Sequence, residues 1–375
     1  MASIGKLDFE ELKRSVKPKV QPLVWDQDRK VLLVLDQRKL PHSVEYFEAK
    51  SPEDVYYCIR EMLVRGAPAI GIAGAYGLAL AAYRLREKTS TPEELYRKLV
   101  EVGSYLKTAR PTAVNLEWAI DTVLMEVKRK IDAGEITNVR ELVNLTERCA
   151  VKIQEEEFEL ELKIAIHGLQ KLEGCSAVMT QCNAGGLAGA GLGTALAPIK
   201  LAKYLGIDIK VYVPETRPWL QGARLTVYEL RVEGIPHVLI TDTAVGYVMY
   251  RGLVDAVIVG ADRILRDGHV INKIGTFKEA VIAHELGIPF YVAAPKSTFD
   301  LKRSIEEVII EERDPDEVRK IRDVLITLPD TPVYNPVFDI TPPKYVTAII
   351  TELGVIHPPY HINIPRMLTP HASEK

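Results

Sequence analysis

Five short apolar runs in the second half of the chain each end in residues able to do chemistry. Ala177 to Met179 leads into Gln181-Cys182-Asn183, Ile209 to Val213 into Glu215-Thr216-Arg217, His237 to Ile240 into Asp242-Thr243, Ala256 to Val259 into Gly260-Ala261-Asp262, and Phe290 to Ala293 into Pro295-Lys296-Ser297. Cys182 stands among polar neighbours, where a helix N-terminus or a cation would lower its thiol pKa and suit it to exchange a substrate proton. A small buried hydrophobe is the plainer role for a cysteine, and it fits Cys58, Cys149 and Cys175. Asp262 follows the apolar run Val257 to Ala261, which would partly desolvate it and raise its pKa as an acid catalyst requires. Taken alone it would be a cap or turn aspartate. Asn272-Lys273 follows closely, offering an amide and a cation to the same place, although surface asparagine and lysine are common.

The loop Thr180 to Gly193 is rich in glycine and is expected to open a helix, whose free N–H groups and dipole favour an anion such as phosphate. Close packing of helix on sheet explains the glycines equally well. Glu215 at the next strand end raises a dinucleotide site, but no glycine trio has the G-x-G-x-x-G spacing. Pro214 to Arg224 packs two arginines, an amide (Gln221) and Trp219 into one loop, for phosphate or sugar recognition or for an internal ion-pair network. Arg65-Gly66-Ala67-Pro68 and Arg110-Pro111 place arginines beside prolines at helix ends, where they could clamp a phosphate bidentately across an interdomain cleft or simply pair with helix-end carboxylates. Among His42, His167, His237, His269, His284 and His357 there is no H-E-x-x-H or H-x-x-x-H spacing, and no G-x-S-x-G occurs, so neither a metal site nor a serine hydrolase is expected.

The elements that must position these residues divide into two parts. At 375 residues two domains are expected, taken as 1–150 and 151–375. Residues 20 to 50 alternate in short runs, which predicts a small antiparallel meander. Ser51-Pro52 and Thr91-Pro92 start helices, further helical periodicity covers Ala113 to Ile131, and Val139 to about Leu172 reads as one long linking helix. From Ser176 onward, β-rich runs alternating with helices predict a parallel sheet with crossover helices, whose ligand crevice lies beyond the carboxyl ends of the strands. The charged stretch Glu306 to Arg322 is expected to be a solvated helical face.

A net charge of −3 and pI near 6.3 argue against nucleic acid or an anionic membrane as the main partner. Two charge-free stretches, Gly66 to Tyr83 and Gly174 to Ile199, are too short or too broken by proline, glycine, Gln181 and Asn183 to span a bilayer. Four cysteines without C-x-x-C spacing, and no apolar run at Met1 to Gly5, point to the cytoplasm. A Cys175–Cys182 disulfide stays open.

Arg65 to Gly71, Arg110 to Leu116, Cys182-Asn183, Glu215 to Thr226, Gly260 to Ile264 and Asn272 to Thr276 occur in the order found in one family. Together they resemble the methylthioribose-1-phosphate isomerases, related to ribose-1,5-bisphosphate isomerases and to regulatory subunits of the translation-initiation exchange factor. The likeness runs from about Trp25 to Gly354. It implies an N-terminal sheet-and-helix region joined to a Rossmann-like parallel sheet with flanking helices, a homodimer, and an aldose–ketose isomerisation in methionine salvage that needs no cofactor. Position by position it places the catalytic cysteine on Cys182 and the proton-donor aspartate on Asp262. Substrate contacts fall on Arg65, Gly66, Ala67, Arg110, Gln221, Asn272 and Lys273. The chain departs from the family at Gln181 and Ala184, where members often carry histidine and threonine. It also departs at Asp242-Thr243-Ala244-Val245, which is closer to the bisphosphate isomerases and regulatory subunits.

Overall fold

Two proline-led caps start the helical half of the chain in the computed structural model, which describes residues 7–111 and 113–369. The side chains of Ser51 and Thr91 accept from the N–H groups of Asp54 and Glu94, opening α2 (Pro52–Arg60) and α4 (Pro92–Lys107). Each cap satisfies a donor that the first turn leaves open and stabilises by about 1 kcal/mol. These helices, with α5 (Val114–Asp132), surround α3 (Ala67–Leu85), in which every residue from Ala69 to Ala82 is buried. The charge-free stretch from Gly66 is thus the core helix of a globular unit. No helix among the described residues is long and apolar enough to cross a membrane. The expected meander is β1 (Leu23–Asp26), β2 (Val31–Leu35) and β3 (Tyr46–Ala49), antiparallel throughout, with Trp25 opposite Leu32 and Val34 opposite Phe47.

One helix, α6 (Val139–Lys171), follows. The chain forms two compact units. A helical unit takes Pro18–Glu159 and Gly186–Gly193, and a sheet unit takes the rest, including α1 (Phe9–Ser15). The break between them comes at Glu159, inside α6, and residue 150 lies within the same helix.

The sheet unit contains a seven-stranded sheet in the order β18-β17-β12-β9-β4-β7-β8. Its strands are β4 (Ala177–Met179), β7 (Lys210–Pro214), β8 (His237–Ile240), β9 (Ala256–Val259), β12 (Phe290–Ala293), β17 (Ala348–Thr351) and β18 (Gly354–Ile356). All neighbours run parallel except β17 and the edge strand β18. The helices α7 (Ala197–Tyr204), α8 (Val227–Glu233), α9 (Val245–Tyr250), α10 (Thr276–Glu285) and α12 (Tyr360–Leu368) accompany it. The chain builds outward from β4 through β7 to β8, then returns to the other side of β4 as β9 and continues to β12 and β17. The order therefore reverses between β4 and β9. A second sheet, β13-β10-β11-β16, is made of β10 (Arg263–Leu265), β11 (Val270–Lys273), β13 (Phe299–Asp300) and β16 (Phe338–Thr341).

Two expectations are corrected. The glycine loop does not open a helix: Gly185–Gly186 and Gly191–Gly193 form the short pair β5 and β6, and α7 begins only at Ala197. The positive φ of Gly191 and Gly193 (120° and 83°) is incompatible with helix at that point. Nor is Glu306 to Arg322 a helical face. It breaks into a 3-10 turn (Ile305–Glu307), the one-turn α11 (Asp316–Arg319) after Pro315, and β14 (Lys320–Ile321), which pairs with β15 (Val324–Leu325). Proline disfavours helix at the residue before it, so the stretch cannot run through Asp314 as one helix.

Candidate active site

Cys182 and Asp262 sit on the tails of the two strands between which the order reverses. β4 and β9 are parallel neighbours with Met179 opposite Val257, so Cys182 and Gly260 leave the sheet at the same level. The tails pass close together: a Cβ at Gly260 would come within 2.8 Å of the Ala184 Cβ. In open parallel sheets this reversal point is where the strand ends splay and leave a ligand crevice.

The turn that presents Cys182 is held on both sides. Cys182 has φ +60°, a left-handed conformation that costs a non-glycine residue about 1–2 kcal/mol. Its N–H donates to the Thr216 hydroxyl (3.0 Å), and its carbonyl accepts from the Thr226 hydroxyl (2.6 Å). Thr216, also left-handed, is fixed in turn by Asp242, whose two carboxylate oxygens accept from the Thr216 and Arg217 N–H groups at 2.8 and 2.7 Å. None of the four cysteines is in a disulfide. Burial pushes the Cys58 thiol up to about 12 and raises Cys149 and Cys175, consistent with structural roles. No helix starts at Cys182, so the helix-dipole reason for an acidic thiol falls away.

The Asp262 N–H donates to the Ile271 carbonyl (2.9 Å), and Arg263 pairs with Ile271 across the β10–β11 hairpin, which returns Asn272 and Lys273 beside the Asp262 tail. Gln181 Nε2 donates to the Ile274 carbonyl (2.8 Å), tying the Cys182 tail to the same segment. The Asp262 side chain is exposed. Full burial along the apolar run expected to desolvate it ends at Gly260, and Asp262 lies beyond the sheet's buried edge. Asn272 is buried, with Nδ2 donating to the Thr276 hydroxyl (2.9 Å), and the Lys273 ammonium lies 4.8 Å from the centre of the Phe338 ring.

Gln221 and Lys273 line one small cleft together with Trp219, Arg313, Glu317 and Asn335. The cleft admits about one water-sized sphere (10 Å³). Gln221 Oε1 is buried there without a protein partner. Arg217, by contrast, spends its guanidinium on the carbonyls of Pro218, Val318 and Lys320, and Trp219 Nε1 donates to Glu317 (2.8 Å). The loop around them is thus partly an internal network, one of the two readings its composition allowed. Arg313, Glu317 and Asn335 were not singled out from sequence. The unmatched indole donor of Trp219 was the available signal that an acceptor had to come from elsewhere.

Beside Lys273, the start of α10 gathers two acids, the half-buried Asp339 and the buried Glu279. Burial pushes the Asp339 carboxyl from an ordinary 3.8 up to about 6, against hydrogen bonds from the Gly275 and Phe277 N–H groups and the pull of Lys278 and Lys273. Glu279 is fully buried with neither carboxyl oxygen hydrogen-bonded, and burial holds it well above the usual range, opposed by Lys278 and aided by Asp242 and Asp339. Because Asp339 titrates higher in the folded chain than in the unfolded one, the folded state binds the extra proton between about pH 4 and 6. Its stabilising contribution is present below that window and is lost as pH rises through about 6. Between pH 7.5 and 4.5 the wild type is therefore expected to gain on the order of 2 kcal/mol relative to Asp339→Asn, read by urea unfolding at the two pH values. Parallel pH dependence of the two proteins would refute this.

Arg65, Gly66, Ala67 and Arg110 belong to the helical unit, whereas Cys182, Gln221, Asp262, Asn272 and Lys273 belong to the sheet unit. Gly66 caps α3 at φ +90°, and a Cβ there would fall 2.5 Å from the Ala188 carbonyl oxygen, which accepts from the Ala69 N–H. Gln37 Nε2 anchors the same loop through the Leu187 carbonyl (2.8 Å). Gly66→Ala is expected to destabilise the protein by on the order of 3 kcal/mol, from backbone strain plus overpacking, measured by denaturant unfolding. A change below about 0.5 kcal/mol would show that the loop yields. Arg110 borders a depression of about 220 Å³ with Lys107, Thr108, Pro111 and Glu117, while Thr112 of its motif lies outside the described residues. No group of three or more His, Cys, Asp or Glu among the described residues is arranged to hold a metal ion.

The chain belongs to the Initiation factor 2 subunit family, whose model matches residues 63–358. The family resemblance read from the motifs is borne out. A relative from Carboxydothermus hydrogenoformans, named methylthioribose-1-phosphate isomerase, is 48% identical over 90% of this chain and 96% of its own. The crystal structure of 5-methylthioribose 1-phosphate isomerase from Pyrococcus horikoshii OT3 matches with a TM-score of 0.87 at 39% identity, covering 96% of this chain and 98% of that one. The crystal structure of the translation initiation factor eIF-2B, subunit delta, from A. fulgidus matches with a TM-score of 0.86 at 45% identity, covering 93% and 99%.

Proposed function

We propose that the protein is an aldose–ketose isomerase that converts 5-methylthioribose 1-phosphate to 5-methylthioribulose 1-phosphate. The observation that supports this most is the pairing of Cys182 and Asp262 on adjacent strand tails where the order of the parallel sheet reverses. Relatives and a solved structure with that isomerase name, similar over nearly the whole chain, support it independently and favour a role in methionine salvage.

A sugar carrying phosphate on its anomeric oxygen cannot open as a free sugar does, so the ring oxygen must be protonated as its bond to C1 breaks. In this proposal Asp262 supplies that proton, Cys182 assists the transfer of the C2 hydrogen to C1, and the C2 hydroxyl gives up its proton to become the ketone. The atoms of substrate and product balance without a co-reactant. Asp262 is exposed in the free protein, and substrate covering it would remove water and favour its neutral form. Arg65 and Arg110 are proposed for the phosphate with Gly66 and Ala67. Gln221, Asn272 and Lys273 are proposed for the sugar, Gln221 through its unpartnered buried oxygen. The working assembly is proposed to be a homodimer in the cytoplasm.

Turnover of 5-methylthioribose 1-phosphate is expected to exceed that of ribose 1,5-bisphosphate by on the order of 10²-fold in kcat/KM, because a pocket for a thioether leaves a second phosphate unpaired. The reverse ratio would assign the chain to bisphosphate isomerisation. The similarity to the A. fulgidus initiation-factor structure favours a noncatalytic regulatory reading, which stable co-purification with initiation-factor subunits and absence of turnover on both sugars would support.

A further inference from the structure

Behind the Cys182 turn lies an ion pair without solvent contact. Lys200 Nζ, on α7, stands 2.6 Å from Glu229 Oε2, on α8, and both side chains are fully buried. Removing two charges from water costs several kcal/mol per ion, and well-packed apolar residues would commonly serve stability as well or better. The pair is therefore a poor device for stability alone, and its connections indicate another use.

The second oxygen of Glu229 accepts from Asn183 Nδ2 at 2.9 Å. The same amide nitrogen reaches the Thr226 hydroxyl at 3.1 Å, and that hydroxyl donates its proton to the Cys182 carbonyl at 2.6 Å. A continuous line of hydrogen bonds thus runs from Lys200 through Glu229, Asn183 and Thr226 to the backbone of Cys182. The loop also rests directly on the carboxylate: a Cβ at Gly185 would meet the two Glu229 oxygens at 2.4 and 2.5 Å. Cys182 and Asn183 are held from behind by a buried carboxyl group that is itself held by the lysine.

We propose that Lys200 and Glu229 are positioning residues that hold Cys182 in its left-handed turn with its thiol presented at the strand ends. This rests on the reading of Cys182 as the reacting thiol. Neither residue has solvent exposure, so neither contacts substrate. A purely structural pair would affect unfolding and nothing else.

The test is K200M/E229Q, which removes both charges at nearly constant volume, beside Lys200→Arg, which keeps the cation. The double variant is expected to melt near wild type, to lose about 10²-fold in kcat with KM within about twofold, and to show Cys182 alkylated by iodoacetamide about threefold faster or more, mapped by mass spectrometry. Lys200→Arg is expected to retain most of the wild-type kcat. A folded double variant with wild-type kcat and wild-type alkylation of Cys182 overturns the proposal. Should the double variant not fold, Asn183→Leu keeps the ion pair and cuts its link to the turn. The same split of kcat from KM is expected there, and wild-type behaviour overturns the proposal. Absence of isomerase activity in the wild type would refute the proposed function instead, and the alkylation rates would still decide the positioning.

Discussion

Asp262→Asn is expected to lower kcat for 5-methylthioribose 1-phosphate by about 10³-fold while leaving KM within about threefold and the melting temperature unchanged. General acid catalysis by a positioned carboxyl contributes about 10²–10⁴-fold, and an amide has no proton of comparable acidity to give the ring oxygen. The Asp262 side chain is exposed, and the hydrogen bond from its backbone N–H to the Ile271 carbonyl is one that asparagine keeps. Surface substitutions of this kind shift stability by about 0.5 kcal/mol or less. Steady-state kinetics with a thermal melt on the same preparation decide the matter. Near-wild-type kcat would remove Asp262 from the chemistry, and a collapsed melt would give its carboxyl a structural part.

Cys182→Ser is expected to cost about 10²-fold in kcat, again in a folded protein. Serine can occupy the same turn, and the bonds that clamp it, from the Cys182 N–H to Thr216 and from Thr226 to the Cys182 carbonyl, are backbone bonds that survive the change. What is lost is a side chain that ionises and polarises far more readily than a hydroxyl. The other cysteines offer an internal control. Cys58 is buried with its thiol pushed up to about 12, and Cys149 and Cys175 are raised as well. Alkylation at neutral pH that inactivates the enzyme should therefore map to Cys182 and be blocked by substrate. Inactivation that tracks Cys149 or Cys175 would contradict the assignment.

The parallel sheet and the gathering of strand tails were legible from the sequence because each strand is a short apolar run with a polar end, and that pattern alone places the polar ends at one edge. The adjacency of Cys182 and Asp262 was not, since the pattern does not say that the chain turns back at β4 to lay β9 beside it. Long helices such as α6 were readable from periodicity. The glycine loop misled because its composition suits a phosphate cradle, whereas positive φ at Gly191 and Gly193 turns it into a short strand pair instead. Asp262 was expected to be partly buried from the apolar residues before it, but full burial ends at Gly260. Lys200 and Glu229 drew no attention because a single lysine and a single glutamate in separate helices resemble surface residues, and only the packed structure reveals that neither reaches water. Arg313 and Glu317 were hidden for the opposite reason, in a charged stretch that resembled a solvated helix.

The most direct test is ketose formation followed by NMR on 5-methylthioribose 1-phosphate, with wild type, Cys182→Ser and Asp262→Asn under identical reducing conditions. The proposed function predicts quantitative conversion to 5-methylthioribulose 1-phosphate by wild type and rates lower by about 10²-fold and 10³-fold in the folded variants. No conversion by pure, reduced wild type, or equal conversion by all three proteins, would contradict it.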